Sequence, residues 1–285
     1  MAIAGASAGC VKYLCQSAVV LTMISLPLTS QAMPCANMAL VLAIDASGSI
    51  SNSEFDMQIQ STARALRNPQ VVAAMESVGG VAVAAVIWAD TAFGVHPLPW
   101  THVTDKASAD HFALILASQP RIITGNTDMG NGISAALDLL NDPRNCATYR
   151  VIDVSGDGRE SIMTRSSAVS LRQAKARADQ TGVIINGLAI SSNDPNLADY
   201  YLNHVIEGPG SFMIEVESYG AFEQAMIQKL LREIGGYGAA MVADADKALR
   251  DSDIIETALV PATSSGSDTG QDAVSSEPTG VLIRM

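Results

Sequence analysis

Short apolar runs recur along the middle of the chain and alternate with stretches in which apolar residues are spaced three or four apart. Runs that are almost continuously apolar are typical of strands covered on both faces of a sheet. They predict six strands, with the third, which contains two prolines, at an edge. The runs are MALVLAID (38–45), VAVAAVIWA (81–89), FGVHPLPW (93–100), YRVIDVS (149–155), GVIINGLAI (182–190) and SFMIEVE (211–217).

The stretches between the runs have helical spacing. Residues 54–66 bring Phe55 and Ile59 to one face, and Ser51 with Glu54 fits a capping box at the start of this helix. Strand and helix alternation predicts an α/β fold, a doubly wound, mostly parallel six-stranded sheet with helices on both faces. The other predicted helices are 104–117, 133–140, 166–179 and 222–234.

The two ends of the chain differ from its middle. Residues 1–32 carry one charge, Lys12, then an apolar run and a small-x-small site, which predicts a signal peptide and export to the periplasm or medium. An uncleaved signal anchor is the alternative, although the apolar core is short for a membrane span. Residues 33–250 form the predicted domain. Residues 251–285 are rich in Ser, Thr and Gly and predict a disordered acidic tail.

Charge and cysteine content narrow the class of protein. The 285 residues have a formal net charge of -12, which disfavours nucleic acid as a partner. Removal of residues 1–32 would leave Cys35 and Cys146 as the last two cysteines of an exported chain. A disulfide between them is the default expectation, and two separate free thiols are the alternative.

Oxygen-bearing side chains cluster where predicted strands end. Asp45, Ser47 and Ser49 follow the first strand, Asp157 follows the fourth, and Thr127 lies in a glycine-rich stretch before a helix. Ligands of open parallel sheets bind at this edge, and such oxygens suit Mg²⁺, Mn²⁺ or Ca²⁺.

These side chains have simpler interpretations. The serines could cap the following helix, Thr127 with Asp128 could cap another, and Asp157 could be a turn residue. Asp153, inside the fourth strand, could be a partner of the site or a hydrogen-bond acceptor in the core.

The five positions, in this order, resemble the metal-ion-dependent adhesion site (MIDAS) of von Willebrand factor type A (vWA) domains. The resemblance covers residues 38–235, and YRVIDVSGDG, GVIINGLAI and HVIEGPGSF are similar to an uncharacterised exported bacterial branch. It implies a Rossmann-like sheet in the order 3-2-1-4-5-6 with one antiparallel edge strand.

The same resemblance implies a mode of action. Asp45, Ser47, Ser49 and Thr127 would surround a divalent cation, with Asp157 beside it or bound through a water. One coordination position would stay open for a carboxylate of a partner protein. The expected function is therefore metal-dependent protein binding by an exported module without a membrane span in its mature chain.

Enzyme motifs are missing from the chain after the predicted signal peptide. Residues 33–285 contain no GxxxxGK[ST], GxSxG or HExxH pattern, so we do not expect an enzyme. Two alternatives remain open at this stage: a metal-dependent hydrolase of phosphate esters, and a scaffold whose metal site is vestigial.

Overall fold

A seven-stranded sheet runs through the computed structural model, which describes residues 36–143, 145–161, 169–258 and 280–285. The strand order is β3-β2-β1-β4-β5-β6-β7, and every neighbouring pair is parallel except β2 with β3. The strands are β1 (Met38–Asp45), β2 (Val81–Trp88), β3 (His96–Val103), β4 (Tyr149–Gly156), β5 (Ile184–Ile190), β6 (Phe212–Val216) and β7 (Val281–Arg284).

Helices connect the parallel strands. A 3-10 turn (Thr91–Phe93) follows β2, a π-helical turn (Tyr201–Val205) continues α6, and a second 3-10 turn (Tyr219–Ala221) precedes α7. The α-helices are α1 (Asn52–Leu66), α2 (Pro69–Ser77), α3 (Lys106–Ala117), α4 (Met129–Leu140), α5 (Leu171–Thr181), α6 (Leu197–Tyr200) and α7 (Phe222–Ala258).

Both faces of the sheet are covered, as its apolar strands require. In β1, Leu40 and Leu42 pack into a core formed with α1, α2, α3 and α7. Ala39 and Val41 face the other way, into a core formed with α4, α5 and the π-helical turn. This alternation follows from the two-residue period of a strand. The predicted doubly wound α/β class is confirmed.

The predicted strands occur in the predicted places, with two differences. The sheet has seven strands and not the predicted six, because the C-terminal strand β7 was not predicted. The edge strand β3 begins at His96 and not at residue 93, because Asp90 caps the 3-10 turn over residues 91–93. The implied order and the antiparallel edge are as observed.

The C-terminal region differs from the prediction of disorder after residue 250. Helix α7 continues to Ala258, where alanine, leucine and lysine favour helix. The apolar segment Val281–Arg284 pairs with β6, and Nε of Arg284 lies 3.1 Å from Oε2 of Glu215. The rest of the predicted tail and the predicted signal peptide lie outside the described residues, so both remain predictions.

Within the described ranges, no helix has the length and the apolar character that would be needed to cross a membrane.

Candidate metal centre

Asp45 and Asp157 lie at the same edge of the sheet, because they end or follow the neighbouring parallel strands β1 and β4. Oδ1 of Asp45 accepts a hydrogen bond from the backbone N–H of Ser47 at 2.7 Å. The hydroxyls of Ser47 and Ser49 are 3.2 Å apart, and the Ser49 hydroxyl donates to Oδ1 of Asp157 at 2.5 Å. Four predicted residues are therefore linked in one chain of contacts.

Thr127 joins this group from the loop before α4. A Cβ atom placed on Gly158 would lie 3.5 Å from Oγ1 of Thr127 and 3.6 Å from Oγ of Ser49, so both hydroxyls face the same glycine. The backbone of Thr127 is tied to Ser161 in the loop after β4 by two hydrogen bonds, of 2.8 and 3.2 Å. The structure thus brings all five predicted residues to one place.

Each carboxylate of the site has an oxygen without a partner. Oδ2 of Asp45 and Oδ2 of Asp157 are buried and accept no hydrogen bond from any described residue. Burial, with a smaller contribution from the charge of Asp157, raises the pKa of Asp45 to about 7. Burial is also the main cause that raises the pKa of Asp157.

These unpartnered oxygens fit a hard divalent cation. Two buried carboxylates repel each other, and a cation between them removes the repulsion. The donor set of two carboxylates and three hydroxyls, without histidine or cysteine, is of the kind that Mg²⁺, Mn²⁺ and Ca²⁺ prefer.

Two of the simpler interpretations, helix caps by Ser47 or Ser49 and by Asp128, do not hold. The cap of α1 is Ser51, in the predicted capping box with Glu54, and not Ser47 or Ser49. Asp128 precedes α4 but makes no side-chain cap, because its Oδ2 accepts hydrogen bonds from the backbone and hydroxyl of Thr91.

Two side chains that sequence reasoning missed hold the loop between β1 and α1. Arg121 donates to the carbonyl oxygens of Ala46 (3.0 Å) and Ser47 (2.7 Å). Gln58 is fully buried; it donates to the carbonyl of Asp45 and accepts from Ser155, each at 2.9 Å. Neither residue has a motif or spacing that links it to Asp45, so the sequence gives no signal for them.

A third missed residue is Tyr201, in the π-helical turn. A Cβ atom on Gly156 would lie 2.7 Å from Oδ2 of Asp45 and 2.9 Å from the Tyr201 hydroxyl, so both atoms lie close to the glycine. The hydroxyl is buried and has no hydrogen-bond partner among the described residues. Burial, with the charge of Asp45 next in size, raises its pKa, so Tyr201 stays neutral beside the site.

The loop that carries Thr127 is held by a carboxylate at the end of β2. Oδ2 of Asp90 accepts a hydrogen bond from the Asn126 side chain at 2.5 Å. Gly125 has a φ of 108°, and a Cβ atom there would lie 2.7 Å from Cβ of Asp90. A glycine is therefore required, and its carbonyl accepts from the N–H of Gly48 at 2.6 Å.

The site is open at one side. Asp45, Ser47 and Asp157 are buried, whereas Gly48 and Ser49 are exposed in the same loop. A group from outside can therefore approach the hydroxyl of Ser49 without displacing the core.

Only one of the two cysteines of the predicted disulfide lies among the described residues. Cys146 lies in the loop before β4 and is disulfide-bonded. Cys35 lies outside the described residues, so the pairing of Cys35 with Cys146 remains a prediction.

A family model described as "Protein of unknown function (DUF1194)" matches residues 34–238, well over half of the chain. The chain belongs to the DUF1194 family. No curated protein matches this DUF1194 chain.

Solved structures share the fold of this DUF1194 domain. The pilus adhesin SpaC from Lactobacillus rhamnosus GG has a TM-score of 0.50 and 12% identity, over 69% of this chain and 30% of that chain. Proximal thread matrix protein 1 from the mussel byssus has a TM-score of 0.52 and 16% identity, over 70% and 47%. The vWF domain of the pili tip protein Mfa5 from Porphyromonas gingivalis has a TM-score of 0.47 and 12% identity, over 71% and 96%.

The DUF1194 chain thus spans less than half the length of SpaC and of the byssus protein. At these identities the similarity concerns the fold alone. The strand order and the antiparallel edge are those of the Rossmann-like fold that the resemblance to vWA domains implied, so the resemblance is confirmed for the fold, and the metal site that it also implied stays a prediction.

Proposed function

We propose that this DUF1194 protein is an exported module that binds a partner protein through a divalent cation. Asp45, Ser47, Ser49, Thr127 and Asp157 would hold the ion, which would be Mg²⁺, Mn²⁺ or Ca²⁺. When bound, the ion would offer a coordination position to a carboxylate of the partner. The observation that carries this proposal is the pair of buried carboxylates, each with an unpartnered oxygen, joined through two serine hydroxyls.

Access to the site supports binding of a macromolecule. Ser49 and Gly48 are exposed, and so are Thr124 and Gly125 in the adjoining loop. An acidic side chain on a protruding loop of a partner could reach the ion from this side. The pilus adhesin SpaC, which has a similar fold, is an example of an adhesive protein among the structural neighbours.

The surroundings favour binding over catalysis. Phosphoryl transfer at a metal site needs free cationic groups to stabilise the transferred phosphate. Arg121, which lies beside the site, already donates to two backbone carbonyls and to Asn52. We therefore propose that the protein is not an enzyme.

A capture experiment tests the proposed function. Mature protein is immobilised, and exported proteins of the host are passed over it with Mg²⁺ or with EDTA. We expect a protein that is retained with Mg²⁺, released by EDTA and not retained by Asp45→Ala.

The matched control is Asp194→Asn, which alters a surface carboxylate that is paired with Arg159 at 2.6 Å and belongs to a neighbouring loop. This control should retain the partner. Retention that is equal in EDTA and in the Asp45→Ala variant would contradict the proposal, as would metal-dependent hydrolysis in a screen of phosphate esters.

A further inference from the structure

A cluster of buried charges lies under α7, away from the candidate metal centre. Lys229 Nζ is 2.8 Å from Oδ1 of Asp153 in β4 and 2.7 Å from Oε1 of Glu233, one helical turn further along α7. Asn186 of β5 donates to the same Glu233 oxygen at 2.9 Å and accepts from the backbone N–H of Phe212 at 3.0 Å. All of these polar side chains are buried.

The cluster lacks one positive charge. It contains one ammonium and two carboxylates, so its net charge is -1 when every group is ionised. Oδ2 of Asp153 and Oε2 of Glu233 have no hydrogen-bond partner in the described part of the chain. A buried unpaired carboxylate oxygen is strongly unfavourable, and a cationic group placed beside it would be strongly held.

Glu233 and Asn186 line a cavity of about 330 Å³ between α7 and the sheet. The first residues of three strands, Tyr149, Ile184 and Phe212, form its wall on the side of the sheet. The cavity therefore lies at the amino-terminal edge of the sheet, whereas Asp157 follows the other end of β4. The two places are separated by the length of an eight-residue strand, roughly 25 Å.

A free cation lines the same cavity. Arg232 precedes Glu233 in α7, and its guanidinium lies 4.2 Å from the centre of the Phe212 ring. Among the described residues, no carboxylate pairs with its side chain, which stacks on this ring. Its five N–H donors are therefore open to an anionic group, and a guanidinium prefers a carboxylate.

We propose that this cavity binds a small zwitterion that carries an ammonium group and a carboxylate, of which a free α-amino acid is the simplest. Glu233 holds the ammonium, and Arg232 holds the carboxylate. The ammonium supplies the positive charge that the cluster lacks, and Tyr149 and Phe212 form an aromatic wall beside the ligand. The volume is at the lower end for ligand pockets, which fits a molecule of this size.

Calorimetry on the mature protein tests this site with three forms of each ligand. The probes are the common α-amino acids, their carboxamides, which lack the carboxylate, and their N-acetyl derivatives, which lack the ammonium. We expect at least one free amino acid to bind, and both of its derivatives to bind at least tenfold more weakly.

Variants then assign the contacts. Glu233→Gln keeps the shape of the side chain and should weaken binding at least tenfold. Arg232→Met should also weaken binding at least tenfold, and its position is only partly buried. Asp45→Ala, at the other edge of the sheet, should leave the affinity unchanged.

Three results would overturn the proposal. One is the absence of binding by any amino acid at about 10 mM, a concentration at which even a millimolar dissociation constant is measurable. Another is equal binding of an amino acid and its carboxamide or N-acetyl form. The third is undiminished affinity in both Glu233→Gln and Arg232→Met.

Discussion

Gly156 and Gly158 stand on either side of Asp157 and differ in the space around them. A Cβ atom at position 156 would lie 2.7 Å from Oδ2 of Asp45 and 2.9 Å from the hydroxyl of Tyr201. At position 158 the nearest atom would be 3.5 Å away, which is an ordinary contact. The first glycine is therefore needed for packing around Asp45, and the second is not.

We predict that Gly156→Ala lowers the free energy of unfolding by about 1–3 kcal/mol, the usual range for overpacking a buried site. Gly158→Ala should change it by less than about 0.5 kcal/mol. Urea denaturation of both variants in EDTA measures the difference. Equal stability of the two variants would mean that Asp45 and Tyr201 are not packed against Gly156 as described.

At the scale of elements, two serines in one loop have separate tasks. Ser51 caps α1, and its hydroxyl accepts from the backbone N–H of Glu54. Ser49 has no part in the cap and bonds to Asp157.

We predict that Ser51→Ala lowers stability by about 1 kcal/mol and leaves metal affinity intact, because loss of a cap affects the helix alone. Ser49→Ala should instead weaken metal binding with little loss of stability in EDTA. Denaturation and metal titration of both variants separate the two roles. If Ser49→Ala instead lowered stability in EDTA by about as much as Ser51→Ala, Ser49 would be acting as a helix cap.

The buried charges under α7 make stability depend on pH. Burial raises the pKa of Glu233 from an ordinary value of 4.5 to about 7; Lys229 opposes this shift, and the charge of Asp153 adds to it. An acid whose pKa is raised in the folded state contributes stability that is complete below its unfolded pKa. That contribution is lost as the pH rises through the folded pKa.

We therefore predict that the free energy of unfolding of the wild-type protein falls between about pH 4.5 and pH 7 more steeply than that of Glu233→Gln. Both proteins are measured in EDTA, so that Asp45, whose pKa burial also raises to about 7, contributes equally to each. Parallel pH profiles would show that Glu233 does not titrate in this range.

Local patterns predicted most elements well. The apolar runs located six strands, and the serine and glutamate spacing located the start of α1 at its cap. These patterns failed where an element or a contact depends on residues that are far away in the sequence. Val281–Arg284 is too short to be recognised as a strand until it pairs with β6, and Lys229 sits in a helix whose polar positions gave no sign of a buried ion pair.

At the scale of the whole molecule, the last strand covers the edge of β6. Strand β7 is parallel to β6, and the N–H of Met285 donates to the carbonyl of Glu215 at 3.1 Å. An uncovered edge presents unpaired backbone groups that favour aggregation.

We predict that deletion of residues 280–285 leaves a folded protein that melts a few degrees lower and aggregates more readily, because the edge of β6 is then exposed. Thermal melts and light scattering compare the truncated and full chains. An unchanged melting temperature with no increase in scattering would show that β7 does not protect this edge.

The candidate site itself could be predicted in part. Asp45, Ser47, Ser49, Thr127 and Asp157 could be named from the sequence, because parallel strands deliver their carboxyl ends to one edge. Arg121, Gln58 and Tyr201 could not be named. Each reaches the site from a different element through a contact that only the tertiary structure defines.

The central claim is that these five residues form a site for a divalent cation, and a calorimetric titration tests it most directly. Metal-stripped protein is titrated with Mg²⁺, Mn²⁺ and Ca²⁺ at pH 8, where Asp45 is ionised. Asp45→Ala serves as the test variant and Asp194→Asn as the matched carboxylate control.

We predict binding of one ion per chain to the wild-type protein and to Asp194→Asn, and none to Asp45→Ala. Binding should also raise the melting temperature of the first two proteins, since a ligand that binds only the folded state stabilises it. Equal binding by all three proteins, or binding by none at millimolar metal, would contradict the assignment of the site.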